Sequence, residues 1–451
     1  MFGETPKCTI CEKEIKGGYI RDLYLGKTTT DRDIVVNEPE NFAKKLAEIF
    51  DGTFIVLDDV NEIYRVVLPD KINYIDVTKP VGGSIEEDLK RRDFTINAIA
   101  YALKNDKYID TTDGMKDLKN GVLRHYKDEN FEDDPLRILR AFRFASTTGF
   151  KMDETLKCAI NKYKQLLLNP ARERINYEIM KLFGGGKCSE TLLLMDAFGI
   201  LEQLFPFVTE MKKVTPNTHH HLDLFHHVIE TVRNIEKLYL NSMDEIKEHL
   251  VKIDFGGFPR INHLKLAGFL HDIGKFSTWT IEENGRHRFI KHDDVGAKMC
   301  KLFLQDLKFS KKQIEYISSM IKNHIYPSSV ISAPDLNEKV MMRYIRKMEN
   351  DVIDNIILAK ADRLSARGEA ITEEIIENNL CGLDKLLSFY FEKRDTLKPL
   401  PKLLDGMEIM QILDIPQSPK LGNIIKELQE AQLNGDIVTK EDAIDFVKSV
   451  K

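Results

Sequence analysis

Cysteine is scarce in this chain of 451 residues. Cys8, Cys11, Cys158, Cys188, Cys300 and Cys381 are too thinly spread for a disulfide framework and suit a reducing cytoplasm. Long apolar runs are missing too. None approaches the roughly 18 residues a transmembrane helix needs, and the N-terminus lacks the apolar core of a secretory leader. A cytoplasmic protein with no membrane partner is therefore expected. Basic charge does not dominate: 66 Lys and Arg stand against 72 Asp and Glu, a net of −6. That excludes a uniformly basic nucleic-acid coat and leaves room for a local basic patch. Fixed-period repeats and low-complexity tracts are absent, which sets aside solenoids and linker arrays. What is present is globular material, 42% hydrophobic and 31% charged. At roughly 100–200 residues per domain, the length predicts about three domains.

The order of patterns predicts an α+β multidomain chain. Up to about Tyr126, β-branched runs at Asp31–Val36, Thr53–Leu57, Tyr64–Leu68 and Asn73–Val77 read as strands, with helical periodicity at Asn41–Phe50 and Asp93–Leu103. From Asp133 onward the apolar spacing is helical almost throughout. Pro206 and Pro216, and later Pro399, Pro401, Pro416 and Pro419, mark breaks.

Asp31 and Asp33 lie two apart at the start of a strand, a spacing that puts both on one face. Paired carboxylates are costly unless cations neutralise them, and two Mg²⁺ ions about 3.5–4 Å apart would do so while activating phosphoryl transfer. Upstream, Gly17, Gly18, Arg21 and Asp22 offer a side-chain-free turn where backbone N–H groups can approach a triphosphate. Downstream, Arg91, Arg92, Asp93 and Asn97 sit at the expected start of a helix, where guanidinium groups can fork onto phosphate or ribose oxygens and Asp93 can accept from a ribose hydroxyl. Asp93 could equally be a helix cap. In Asp133-Asp134-Pro135-Leu136-Arg137, Pro135 suits the first helical position and Asp134 the cap. Asp134 and Arg137 could then read one base: the carboxylate accepts from the amino group of C or A while the guanidinium donates to the adjacent ring nitrogen. A weak ion pair between them is the plainer alternative.

These pieces together resemble the class II tRNA nucleotidyltransferases, the CCA-adding and poly(A) polymerase family. The matching stretches are Gly-Gly-Tyr-Ile-Arg-Asp (17–22), Asp-Arg-Asp (31–33), Arg-Arg-Asp-Phe-Thr-Ile-Asn-Ala (91–98) and Asp-Asp-Pro-Leu-Arg (133–137). Asp110, Gly114 and Asp117 match the family's hinge, and Glu173-Arg174-Ile175 with Glu178 its neck. The resemblance implies a nucleotidyltransferase head (1–126) with a five-stranded sheet, a helical neck that selects nucleotides and binds RNA (127–205), and a helical tail that contacts tRNA (376–451). It also implies Mg²⁺ at Asp31 and Asp33, nucleotide binding by Gly18, Arg21, Arg92, Asp93 and Asn97, base selection by Asp134 and Arg137, and basic support from Arg140 and Arg143. Asp76 falls where the family has another acid. Three departures stand out. Lys16 replaces an apolar residue in the first strand, which is expected to be short. Asp133 replaces the usual Glu. Only Val77–Lys90 separates Asp76 from Arg91, where relatives that finish with adenosine usually carry a longer flexible loop. CC and CCA addition both remain open, from CTP and ATP onto the tRNA 3′ end, and a stop at CC would call for a separate A-adding enzyme. Poly(A) synthesis is the alternative within the family.

A second constellation comprises His227, His271-Asp272, His292, His324 and Asp362. Imidazole and carboxylate ligands on facing helices can hold one or two divalent ions with positions left open for water. The set resembles the HD phosphohydrolase superfamily, placed here over 206–375. It implies a transition metal or Mg²⁺ and phosphatase or cyclic-phosphodiesterase activity on 2′ or 3′ RNA phosphates. In one alternative this hydrolase is the main activity and the head only binds RNA. Lys275 could pair with a phosphate or be solvated. The run His219-His220-His221 reads as a polar loop, and Cys8 and Cys11 as two thiols rather than a zinc knuckle.

Overall fold

The computed structural model describes residues 14–16, 18–27, 29, 31–218, 220–396 and 401–450. Cys8, Cys11, Gly17, His219 and Pro399 lie outside them. The chain divides into two compact units, one of residues 1–206 with 306–309, the other of 207–305 with 310–451.

The first unit is built on a seven-stranded sheet rather than the five expected. Its order is Thr53–Asp58, Ile63–Val67, Tyr74–Thr78, Asp31–Val35, Glu14–Lys16, Ile99–Ala102, Lys107–Asp110. Only the pairing of Asp31–Val35 with Tyr74–Thr78 is parallel, and the rest are antiparallel. The helix Pro39–Ile49 turns Phe42, Ala43, Leu46 and Ala47 onto Val36, Tyr64, Val66, Ile75 and Val77, burying one face of the sheet. Because strand side chains alternate, Asp33, Arg65 and Asp76 belong to the opposite face. That alternation leaves a charged row on a sheet whose other side is core.

The helix expected over Asp93–Leu103 does not form. Thr95–Asn97 is a single 3₁₀ turn, and Ile99–Ala102 pairs with both Glu14–Lys16 and Lys107–Asp110. The apolar spacing misled because Ala98, Ile99, Ala100 and Ala102 are all buried, so the run has no polar face to reveal its period of two.

After the sheet come the helices Gly114–Asn120, Leu136–Thr148, Glu154–Tyr163, Arg172–Phe183 and Cys188–Ala197. Leu136–Thr148 packs against both Arg172–Phe183 and Cys188–Ala197. Gly185 permits the close crossing, since a Cβ there would lie 2.1 Å from Ser146 Oγ.

In the second unit, Leu224–Asn241 packs on Val352–Ser365 and on Arg260–Leu270, which also contacts Lys311–Asn323. The last three helices, Gly406–Leu413, Pro419–Asn434 and Lys440–Ser449, share a core of Leu404, Ile409, Leu421, Ile424, Leu428, Ile437, Ala443 and Val447. Among the described residues no helix is long and apolar enough to cross a membrane.

Candidate functional site

Two sites emerge. In the head, positions 31 and 33 share a strand, and Asp33 is in register with Asp76 on the neighbouring parallel strand. Asp76 in turn receives two hydrogen bonds from Arg65, Nε to Oδ1 at 2.7 Å and Nη2 to Oδ2 at 2.8 Å. A row of acids anchored by one guanidinium is a donor set of hard oxygens, the kind Mg²⁺ prefers. The side chain of Asp31 lies outside the described residues.

Next to this row, side chains of the head and neck form a continuous polar chain. Gly18 opens the short helix Gly18–Tyr24 rather than a loop, and Arg21 on it donates to Asp22 and, from Nη1, to Asn97 Oδ1 at 2.5 Å. Asn97 donates onward to Asp93 Oδ1 at 2.8 Å, and Asp93 Oδ2 receives Arg140 Nε at 2.8 Å and Nη2 at 2.5 Å. Arg140 Nη1 lies 3.4 Å from Glu178 Oε1, and Arg143 Nε lies 3.2 Å from Glu178 Oε2. Asp93 is thus no simple cap. It is buried, which alone would raise its pKa, yet the charge of Arg140 and the bond from Asn97 hold its carboxyl well below the usual carboxylate range. Burial lowers Arg143 to about 10 against the pull of Glu178.

Asp134 and Arg137 are arranged differently from either sequence alternative. Asp134 is not the helix cap, a place taken by Pro135; it accepts the Leu136 N–H at 3.3 Å while its other oxygen takes Arg174 Nη2 at 2.8 Å. Arg137 gives Nη2 to the Arg91 carbonyl at 2.8 Å, and its Nη1 is buried without a hydrogen-bond partner. One half of the guanidinium fork is fixed and the other half is open. Arg92 Nη1 reaches the Asn97 carbonyl at 3.4 Å. Asp110 accepts from the N–H groups of Gly114 and Met115, both at 2.8 Å, and Gly114 is required because a Cβ would lie 2.1 Å from the Thr95 carbonyl oxygen.

The second site collects all six sequence-chosen residues. His227, His271, Asp272 and Asp362 bring four ligand atoms within 4.8 Å of one another, and Asp272, His292 and His324 bring three. Asp272 belongs to both groups. Its Oδ2 faces His227 Nε2 at 3.3 Å and His271 Nε2 at 3.2 Å, while Oδ1 faces His292 Nε2 at 3.3 Å and His324 Nε2 at 3.6 Å. Asp362 Oδ1 lies 3.1 Å from His227 Nε2. The Nδ1 atoms of His271, His292 and His324 each bond a backbone carbonyl three residues earlier, those of Gly268, Phe289 and Ile321, at 2.7–2.8 Å. Those bonds turn each Nε2 toward the centre, the orientation a metal ligand needs.

Buried and unpartnered atoms make the fit test. Asp272 Oδ1 and Oδ2, His227 Nε2 and His271 Nε2 are all buried without a hydrogen bond, a costly state that a divalent cation would relieve. Gly274 closes the turn tightly, since a Cβ there would lie 2.0 Å from the His292 carbonyl oxygen. Despite their shared burial, the imidazoles differ: burial lowers His324 to about 4, whereas for His271 the charges of Asp272 and Asp362 outweigh burial and raise it to about 10.

Two sequence readings are corrected here. Lys275 is not solvated; it is largely buried, with Nζ 2.6 Å from Asp272 Oδ2. His220 is not part of a polar loop facing water. Its ring packs edge-to-face on His227 with centroids 4.6 Å apart, and burial, reinforced by the charge of Lys275, lowers its pKa to about 2. No periodicity marked His220, because it precedes the helix Leu224–Asn241 and is placed by a turn bonded to Asn217.

Comparison with known proteins agrees with both sites. Residues 14–124 match the model of the poly A polymerase head domain, 149–212 that of a probable RNA and SrmB-binding site of polymerase A, and 224–367 that of the HD domain. The chain is 29% identical over 437 residues to a CC-adding tRNA nucleotidyltransferase of Thermus thermophilus, covering 96% of this chain and 92% of that one. It is also 29% identical over 439 residues to an A-adding tRNA nucleotidyltransferase of Deinococcus radiodurans, covering 96% and 94%. A solved CCA-adding enzyme in complex with CTP shares the fold at a TM-score of 0.55 and 23% identity, over 97% of this chain and 91% of that one. With a nucleotidyltransferase head, an RNA-binding segment and a complete His/Asp cluster in one sequence, the chain belongs to the tRNA nucleotidyltransferase and poly(A) polymerase family and carries an HD domain.

Proposed function

We propose that this chain adds two cytidines from CTP to tRNA 3′ ends and then stops, and that its HD domain hydrolyses phosphate esters at RNA ends. The observation that carries the first statement is the connection between the strand Tyr74–Thr78 and the helix Ile85–Lys90. It consists of residues 79–84 alone, and the backbone turns through Gly82 and Gly83 at positive φ. Relatives that finish with adenosine usually carry a longer loop at this place. Overall similarity does not separate the choices, since the CC-adding and A-adding relatives are equally identical to this chain; the short connection is what favours CC addition.

Mg²⁺ held by Asp31 and Asp33 would activate the attacking 3′-hydroxyl and neutralise charge on the triphosphate. The protein's part is positioning. Arg21 and Arg92 meet the phosphates, and Asp93 and Asn97 meet the ribose. Asp134 accepts from the cytosine amino group while the open Nη1 of Arg137 donates to the ring nitrogen beside it. Uracil and guanine present the reverse pattern at those atoms. In the HD domain, His227, His271, Asp272 and Asp362 would hold one divalent ion and Asp272, His292 and His324 a second.

The test supplies three tRNA transcripts, ending before CCA, after C and after CC, with CTP and ATP separately and together, read at single-nucleotide resolution. Products that stop at CC with both nucleotides present support the reading. Extension to CCA would overturn the two-cytidine limit, and failure to extend any transcript would overturn the assignment of transfer to the head.

A further inference from the structure

Neither site absorbs the His219-His220-His221 run, and within it His220 packs against the HD cluster. His220 Nε2 lies 3.5 Å from Lys275 Nζ, which in turn lies 2.6 Å from Asp272 Oδ2, the oxygen facing His227 and His271. A small cleft lined by Thr215, Asn217, His220, His227, Lys275 and Phe289 occupies this corner. The ammonium always donates, so His220 must present Nε2 as the acceptor and carry its proton on Nδ1. That Nδ1 is buried and has no partner.

With divalent cations on Asp272, Lys275 would be one more positive charge beside them, repelled toward solvent unless something else holds it. His220 is the neutral acceptor that does so from the far side of Lys275. An ammonium fixed at the edge of a metal centre, in a cleft whose other lining groups are neutral, suits an anion that also reaches the metals. We propose that His220 is a positioning residue of the HD hydrolase: it holds Lys275 so that its ammonium meets the terminal phosphate of a substrate bound at the metal centre. The inference rests on the reading of the HD domain as a phosphate-ester hydrolase.

The full-length protein loaded with Mn²⁺ is compared as wild type, His220→Ala, His220→Gln, Lys275→Met and the double variant His220→Ala/Lys275→Met. Four readouts are taken: bound metal by plasma mass spectrometry, affinity for inorganic phosphate by calorimetry, hydrolysis of a 3′-phosphorylated oligonucleotide, and CTP addition to tRNA as a check of folding. His220→Ala is expected to keep its metal and its CTP addition, to bind phosphate about tenfold more weakly, and to raise KM for the phosphorylated oligonucleotide more than it lowers kcat. Lys275→Met should do the same, and the double variant should be no worse than either single one, because both remove one interaction. His220→Gln should recover most of the affinity through its amide oxygen. The proposal is overturned if His220→Ala binds phosphate like wild type, or loses metal in step with hydrolysis, or if the two losses add. Failure of the underlying reading looks different: the wild type itself would then bind no divalent metal or leave the oligonucleotide intact.

Discussion

The two sites solve the same problem, burying charge, in opposite ways. In the head most charged groups of the polar chain from Asp22 to Arg143 are hydrogen-bonded to a protein neighbour, Arg21 to Asp22 and Asn97, Asp93 to Asn97 and Arg140, while Glu178 Oε2 and Arg143 Nε face each other at 3.2 Å as an ion pair without a hydrogen bond. In the HD domain the polar atoms point at one another, and Asp272 Oδ1 and Oδ2, His227 Nε2 and His271 Nε2 make no hydrogen bond, although Lys275 Nζ faces Asp272 Oδ2 at 2.6 Å. The head is therefore a site that exists without its ligand and must exchange internal bonds for those of a nucleotide. The HD centre is a site that a divalent ion would stabilise. Arg137 stands between these extremes, with half of its fork tied to Arg91 and half left open.

That contrast can be broken experimentally, most severely at the acids of the head. Asp33→Ala should lower nucleotide addition by more than about a thousandfold, while tRNA affinity, which rests on phosphate contacts elsewhere, changes little; single-turnover kinetics and filter binding separate the two. A comparable loss of binding would mean that Asp33 shapes the RNA site.

Asp93→Ala removes the buried partner of the part-buried Arg140 guanidinium and should cost about 3 kcal/mol of stability, measured by denaturant unfolding. The same residue sets a pH dependence. Its folded pKa is depressed, so its contribution is fully present above the unfolded value of about 4 and is lost as the pH falls through the folded one. Asp93→Asn should flatten the acid limb of the stability curve, and an unchanged limb would show that other carboxylates control it.

For the HD centre, a chelator should lower the unfolding midpoint of the metal-loaded protein. An ion present at a hundred times its dissociation constant contributes about 2.7 kcal/mol, worth about 5–11 °C for a unit of this size. His271→Ala should abolish that chelator response in calorimetry. The head's internally paired chain should show no such dependence.

The smallest effect belongs to the half-exposed Arg174–Asp134 pair. Arg174→Ala should cost under about 1 kcal/mol of stability. If the pair also orients the base-reading carboxylate, misincorporation of UTP relative to CTP rises in the same variant.

Much of this was legible from the residues. Strands with one buried face, such as Tyr74–Thr78, announce themselves by alternation, and Asp31 and Asp33 were findable because a strand's period fixes which residues share a face. The six HD residues were found by type and order. Ile99–Ala102 was not, because burial on both faces erases the alternation that distinguishes strand from helix. His220 was not, because a residue brought to a site by a turn leaves no periodic trace. The rerouting of Asp134 to Arg174, 40 positions away, was equally invisible to a local reading of Asp134 and Arg137.

The most direct test of two separate centres in one chain is to measure both activities, CTP addition to a transcript ending before CCA and hydrolysis of a 3′-phosphorylated oligonucleotide, on wild type, Asp33→Ala and His271→Ala in parallel. The expected pattern is crossed: Asp33→Ala loses addition and keeps hydrolysis, and His271→Ala loses hydrolysis and keeps addition. Loss of addition in His271→Ala protein that remains folded would contradict the assignment of two independent sites.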